Sequence, residues 1–237
     1  MKYLRFQIDY VLSRVMVLVL MGALTIAHLG IVYASNITEG YTTMDAFKHD
    51  WGLSFMNEAL VINEFIFVFI AIYIAMTLAQ QKNDALMVYS VDSTKAKWCF
   101  VLSRWFSGLL LVTVLYGSHL VLLMSFTKGL TPYQIDWKAF LETFGYLYLE
   151  ILQYYILTLC FMMIYNYMLM GLISFLVFWV IEVVNPIVGG RKFEFLTFLT
   201  INMNSFGYQG KNIVIFLILY IFLSISYIIF IVKKDCV

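Results

Sequence analysis

Residues 213–232, IVIFLILYIFLSISYIIFIV, decide the fold class of this chain of 237 residues. These twenty residues contain no Lys, Arg, Asp, Glu or His. An α-helix rises about 1.5 Å per residue, so twenty residues reach across the ~30 Å of hydrocarbon in a bilayer. The stretch is therefore predicted to be a transmembrane helix.

The composition of the whole chain points the same way. Hydrophobic residues make up 63% of it and charged residues only 12%, whereas roughly a quarter of residues are charged in soluble domains. The two prolines mark no linker, and the chain contains no low-complexity segment, so we expect a single domain over residues 1–237. A net charge of +1 argues against a nucleic-acid partner, because such binding needs a concentrated basic face.

Hydropathy predicts an all-α integral membrane protein with six transmembrane helices. Windows of about 19 residues identify each span as a long apolar run between polar segments. The predicted spans are residues 15–33, 59–79, 105–126, 141–165, 167–184 and 213–232.

The distribution of Lys and Arg predicts that both termini are cytoplasmic. With the N-terminus inside, nine of these residues fall on inner segments and six on outer ones, and cytoplasmic loops carry the excess. The inner residues are Lys2, Arg5, Arg14, Lys82, Lys95, Lys97, Arg104, Lys233 and Lys234; the outer ones are Lys48, Lys128, Lys138, Arg191, Lys192 and Lys211.

Two further segments are predicted outside the spans. At the N-terminus, Leu4, Ile8 and Val11 recur at helical spacing, which fits an interfacial helix as well as it fits a positively charged anchor without defined structure. Between spans 5 and 6, glycines bracket the short apolar run 193–201. This pattern predicts a re-entrant hairpin around 193–208, with an interfacial helix as the alternative.

The loop between spans 2 and 3, residues 80–104, is the longest polar segment on the predicted inner side. Polar and apolar residues alternate in its middle, and Ser93 or Asp92 is placed to cap a helix that runs through Lys95 into span 3. The residues alone favour an ordinary basic connecting loop over a helix that presents side chains to a cytoplasmic protein.

In this arrangement of segments the chain resembles the permease subunits of ABC exporters of the second exporter class. The resemblance extends to small bacterial permeases that export, or give immunity to, amphipathic peptides such as lantibiotics and phenol-soluble modulins. It implies a multi-pass protein of the bacterial cell membrane, in contact with lipid, that moves amphipathic peptide cargo outward. The loop lacks the Gly-Thr and Pro-containing signature of larger members.

The resemblance also implies partners. A cytoplasmic ABC ATPase would bind the inner loop and hold ATP and Mg, and a second permease copy, identical or a close paralogue, would complete the pore. The implied coupling residues are Asp84, Leu86, Met87, Tyr89, Asp92, Lys95, Lys97 and Trp98. This chain contains no G-x-x-x-x-G-K-[ST] motif, so we expect no nucleotide site, no cofactor and no enzymatic activity of its own.

Ionisable residues within spans are costly and suggest function. His28, Glu64, His119, Glu150 and Glu182 all fall in the predicted outer half, which suggests a wet outer vestibule above an apolar inner section. The predicted translocation pathway is His119 together with Tyr146, Glu150, Gln153 and Tyr154. Each of these residues also fits a purely structural role.

Two other functions are alternatives to transport. No ligand set for zinc and no hydrolase constellation can be assembled from the sequence, which weakens an intramembrane enzyme. The stronger alternative is a membrane anchor or sensor that recruits a cytoplasmic partner without transport.

Overall fold

The computed structural model describes residues 2–13, 22–23, 26–27, 30, 62–80, 93–130, 137–164, 168–180 and 210–233. Within these ranges the regular secondary structure is entirely helical, which confirms the all-α prediction for them. The helices are α1 (Lys2–Leu12), α2 (Ile62–Leu78), α3 (Thr94–Leu130), α4 (Trp137–Ile164), α5 (Met168–Trp179) and α6 (Gly210–Lys233). The predicted hairpin 193–208 and most of the first predicted span lie outside the described residues.

Two of these helices are long and apolar enough to cross a membrane. Thr94–Ser125 in α3 and Phe140–Ile164 in α4 have mean hydropathies of 1.9 and 1.7 in their most apolar windows. Of that window, 67% is buried in α4 and 39% in α3, so α4 is the more central helix. The apolar parts of α2, α5 and α6 are shorter in the described ranges, and the six-span topology stays a prediction.

The helices α3 and α4 are antiparallel neighbours. The hydroxyl of Tyr116 donates a hydrogen bond of 2.7 Å to the carbonyl of Phe144, and Tyr155 donates one of 3.0 Å to the carbonyl of Trp105. Residues later in α4 therefore contact residues earlier in α3, as they do in an antiparallel pair of helices. In a medium without water, such side-chain bonds to a neighbouring helix satisfy hydroxyls that would otherwise be costly to bury.

A glycine allows α3 and α4 to approach closely near one of these bonds. The ring of Tyr155 lies directly against Gly108, and a Cβ at that position would overlap with the Oη, Cζ and Cε2 atoms of the tyrosine. Small residues at helix contacts commonly permit such approaches in membrane proteins. Gly117, further along α3, faces open space, since a Cβ there would meet nothing within 4 Å.

Aromatic side chains join α2 to its neighbours on two sides. The ring of Phe67 meets that of Tyr116 on α3 edge-on at 4.9 Å, and Phe65 meets Phe178 on α5 in the same way at 5.2 Å. Such edge-on pairs add about 0.5–1.5 kcal/mol beyond the area they bury. Further along this contact, Met76 on α2 lies against Gly171 on α5.

The N-terminal segment is a helix, and it is therefore not the anchor without defined structure that the sequence also allowed. α1 lies beside the start of α3, where the rings of Tyr3 and Phe100 meet edge-on at 5.8 Å. The hydroxyl of Tyr10 donates to the side-chain carbonyl of Gln80, just past α2, at 3.2 Å. α1, the end of α2 and the start of α3 therefore share one end of the helix bundle.

The surface of the bundle is apolar and part of its interior is polar. On α6, Ser224 and Tyr227 are buried, whereas the nearby Ile221, Phe222 and Ile225 are exposed. Across the described residues, the buried polar side chains are Gln7, Asn63, Glu64, Thr77, Arg104, Ser107, His119, Glu150, Gln153, Thr158, Ser174 and Ser224. The many large apolar side chains exposed on the described helices suit surfaces that face lipid.

Candidate functional site

The start of α3 is fixed by the cap that the sequence predicted. The Oγ atom of Ser93 accepts a hydrogen bond of 3.3 Å from the backbone N–H of Ala96, and its carbonyl accepts one of 3.0 Å from the N–H of Lys97. Ser93, one of the two residues predicted to cap this helix, is therefore the N-cap residue of α3. The cap satisfies a backbone donor that has no partner within the helix.

Three of the predicted coupling residues lie on the first turns of α3. Lys95 and Trp98 are exposed, whereas Lys97 is half-buried. Trp98 shares its exposed face with Leu102 and Phe106, which follow it at intervals of one helical turn. The remaining predicted coupling residues, Asp84, Leu86, Met87, Tyr89 and Asp92, lie outside the described residues.

A row of polar side chains lies inside the bundle on α4. Glu150 and Gln153 are each 1% exposed and Tyr154 is fully buried, while Tyr146, one turn earlier than Glu150, is half-buried. The ring of Tyr154 meets that of Phe178 on α5 edge-on at 5.2 Å. The structure therefore places four of the predicted pathway residues on one helix, three of them sealed within the chain.

The fifth predicted pathway residue, His119, is separate from this row. It is 1% exposed and its ring lies 5.2 Å from that of Phe67 on α2. The contacts between α3 and α4 place Glu150 opposite residue 110 of α3. His119 is nine residues further along, or about 13 Å along the helix axis. The five predicted pathway residues are therefore spread along the interior of the bundle and do not form one cluster. Their role in a pathway stays a prediction.

The structure adds one charged residue that the sequence interpretation had assigned to the inner loop. Arg104 is 1% exposed, and its Cζ atom lies 5.2 Å from the ring centroid of Phe100, a cation–π contact. The predicted apolar inner section therefore contains a buried cation. Its position was detectable, because Phe100, Arg104 and Ser107 recur at helical spacing on one face of α3.

Within the part of the chain that the structure describes, no three His, Cys, Asp or Glu side chains come together as a metal site would require. No protein-family model and no curated protein matches this chain. The functional argument therefore rests on the chemistry of the residues and their placement.

Proposed function

We propose that this chain is the membrane-spanning subunit of an ATP-driven exporter in the bacterial cell membrane, and that its cargo is an amphipathic or hydrophobic peptide. In this proposal the chain crosses the membrane six times, with both termini in the cytoplasm and a re-entrant hairpin at 193–208. Hydrolysis of ATP with Mg takes place on a separate cytoplasmic ABC ATPase, so the chain itself is not an enzyme.

The observation that carries the proposal is the polar row Tyr146, Glu150, Gln153 and Tyr154 inside a bundle with an apolar surface. Polar and ionisable groups at membrane depth are expensive and mark substrate pathways in many membrane proteins. In the described arrangement the row is closed within one chain. A pathway along it would open when the helices around α4 separate, which is the kind of change that ATP-driven closure of partner subunits supplies.

The start of α3 is the proposed point of coupling. Ser93 fixes the first turn, and α1 lies against the next ones through Tyr3 and Phe100. A force applied to the preceding loop would therefore reach α3 directly. α3 is in turn joined to α4 by hydrogen bonds from Tyr116 and Tyr155. This chain of contacts connects the exposed inner-loop end to the helix that carries the polar row.

The exporter also requires a second permease copy, either identical or a close paralogue. Pairing by twofold symmetry is the most economical arrangement, since most oligomers close in this way. The apolar outer faces of α3 and α6 offer surfaces both for this contact and for lipid.

Charge reversal at the start of α3 tests the proposed coupling. We expect Lys95→Glu combined with Lys97→Glu to uncouple ATPase activity from export, because the ATPase subunit would meet the wrong charge at its docking surface. Lys138→Glu, at the other end of the bundle, is the matched control and should leave coupling intact.

The same variants separate transport from anchoring. A membrane anchor would lose part of its binding to the cytoplasmic partner but would have no export to uncouple. Normal export and normal stimulation of the ATPase in the double variant, at normal expression, would contradict the docking role of this segment.

A further inference from the structure

A surface cleft of about 310 Å³ lies where α3 ends and α4 begins. The described residues that line it are Met124, Ser125, Lys128 and Trp137. Its volume is at the lower end of the range for small-molecule sites, ~300–1,000 Å³. None of these four residues belongs to the polar row or to the proposed coupling surface.

The exposed face of α3 gives the depth of this cleft in a membrane. Leu102, Val114 and Leu122 are among the large apolar side chains on its surface, with exposures of 42%, 58% and 41%. From 102 to 122 the helix rises about 30 Å, the thickness of the hydrocarbon layer. Lys128 lies six residues beyond this apolar face, about 9 Å further along the axis. The cleft therefore extends from the edge of the hydrocarbon, at Met124 and Ser125, to the level of the lipid headgroups at Lys128.

The lining chemistry suits a phosphodiester at that depth. The Lys128 ammonium and the Trp137 indole N–H are hydrogen-bond donors, and Trp137 is held in place by an edge-on contact of 5.7 Å with Phe140. The hydroxyl of Ser125 already donates to the carbonyl of Val121 at 2.7 Å, so its oxygen is left as an acceptor. Met124 supplies apolar surface on the side towards the hydrocarbon.

We propose that this cleft binds the headgroup of an anionic phospholipid. The phosphate lies against the ammonium of Lys128 and the indole N–H of Trp137, a hydroxyl of a glycerol headgroup donates to Ser125, and the first acyl carbons lie along Met124. A tryptophan beside a lysine at this level is the usual composition of a membrane interface, but here the two side chains also line a cleft. The proposal depends on membrane insertion and is independent of export.

Native mass spectrometry of the purified full-length chain in mild detergent, titrated with phosphatidylglycerol, tests this site. We expect Lys128→Gln to weaken binding about fivefold, the factor that corresponds to the ~1 kcal/mol of one basic residue at an anionic membrane surface. Lys138→Gln is the matched control, because it removes an exposed lysine near the same end that does not line the cleft. Trp137→Phe keeps an aromatic ring in place of the indole but removes the N–H, and should weaken binding by a smaller factor.

Three outcomes would overturn the proposal. Equal binding by the Lys128→Gln and Lys138→Gln variants would show that the cleft does not hold the lipid. Equal affinity for phosphatidylcholine and phosphatidylglycerol would remove the anionic preference. Phosphatidylglycerol could also be displaced completely by inorganic phosphate or by an acidic peptide, at roughly 10-fold excess over the lipid. That result would assign the cleft to a soluble anion.

Discussion

Replacement of Gly108 by alanine tests the closest contact between α3 and α4. The added methyl group would overlap with the Oη, Cζ and Cε2 atoms of Tyr155. Tyr155 is fully buried and cannot swing into solvent, so its ring must move and its 3.0 Å hydrogen bond to Trp105 must lengthen or break. The side chain that yields is therefore rigid and enclosed.

The expected cost follows from two terms. Overpacking a filled interior costs about 1–3 kcal/mol, and loss of one intramolecular hydrogen bond costs about 1 kcal/mol. Against these stands the gain of about 1 kcal/mol when alanine replaces glycine within a helix. We therefore expect Gly108→Ala to lower the free energy of unfolding by about 1–3 kcal/mol.

The matched control lies on the same helix. Gly117→Ala adds the same methyl group where nothing lies within 4 Å, so only the gain in helix propensity remains and the variant should be as stable as the parent or slightly more so. The free energy of unfolding can be measured for each purified variant by titration from a mild detergent into sodium dodecyl sulfate. The difference between the two variants isolates the contact with Tyr155.

A second substitution identifies the clashing side chain. Tyr155→Phe removes the Oη atom, so in the Gly108→Ala background it should cost less than it does alone. The expected coupling energy is about 0.5–3 kcal/mol, the usual range for residues in contact. Equal stabilities of the Gly108→Ala and Gly117→Ala variants, or strict additivity of the two substitutions at 108 and 155, would refute the packing described between α3 and α4.

Three other perturbations test separate parts of the molecule. Ser93→Ala removes the cap at Ala96 and should destabilise the start of α3 by about 1 kcal/mol, seen as faster amide hydrogen exchange there; unchanged exchange would contradict the cap. Gly171→Ala meets the Sδ, Cγ and Cε atoms of the flexible Met76 side chain and should cost about 1 kcal/mol or less, measured by the same unfolding titration; a cost as large as that in α3 would contradict this reasoning. Glu150→Gln should lower export or cargo-stimulated ATPase activity, and normal values at normal expression would remove that carboxylate from the pathway.

The sequence predicted features that depend on neighbouring residues, such as helices and a cap, but not the contacts between residues far apart in the chain. Apolar runs located α2 to α6 because a spanning helix needs about twenty consecutive apolar residues, and the cap at Ser93 was detectable from its residue type. The contact between Gly108 and Tyr155 joins residues 47 positions apart, and no local pattern determines which glycine a given tyrosine meets. The sequence left the structure of α1 open, because the spacing of Leu4, Ile8 and Val11 fits a helix while the segment fits a positively charged anchor without defined structure equally well.

The candidate site was also predicted only in part. The polar row on α4 follows from helical spacing, since Glu150 and Tyr154 are one turn apart. The separation of His119 from that row depends on the register between α3 and α4, which is fixed by the bonds of Tyr116 and Tyr155. Arg104 was placed with the inner loop because span 3 was predicted to begin at residue 105; the face that it shares with Phe100 is buried instead.

The most direct test of the central proposal is purification of the chain from its native membrane in mild detergent, followed by identification of the co-purified proteins by mass spectrometry. The exporter proposal predicts recovery of a soluble ATPase in stoichiometric amount. Recovery of the intact chain without any ATPase would contradict it and favour a membrane anchor or sensor.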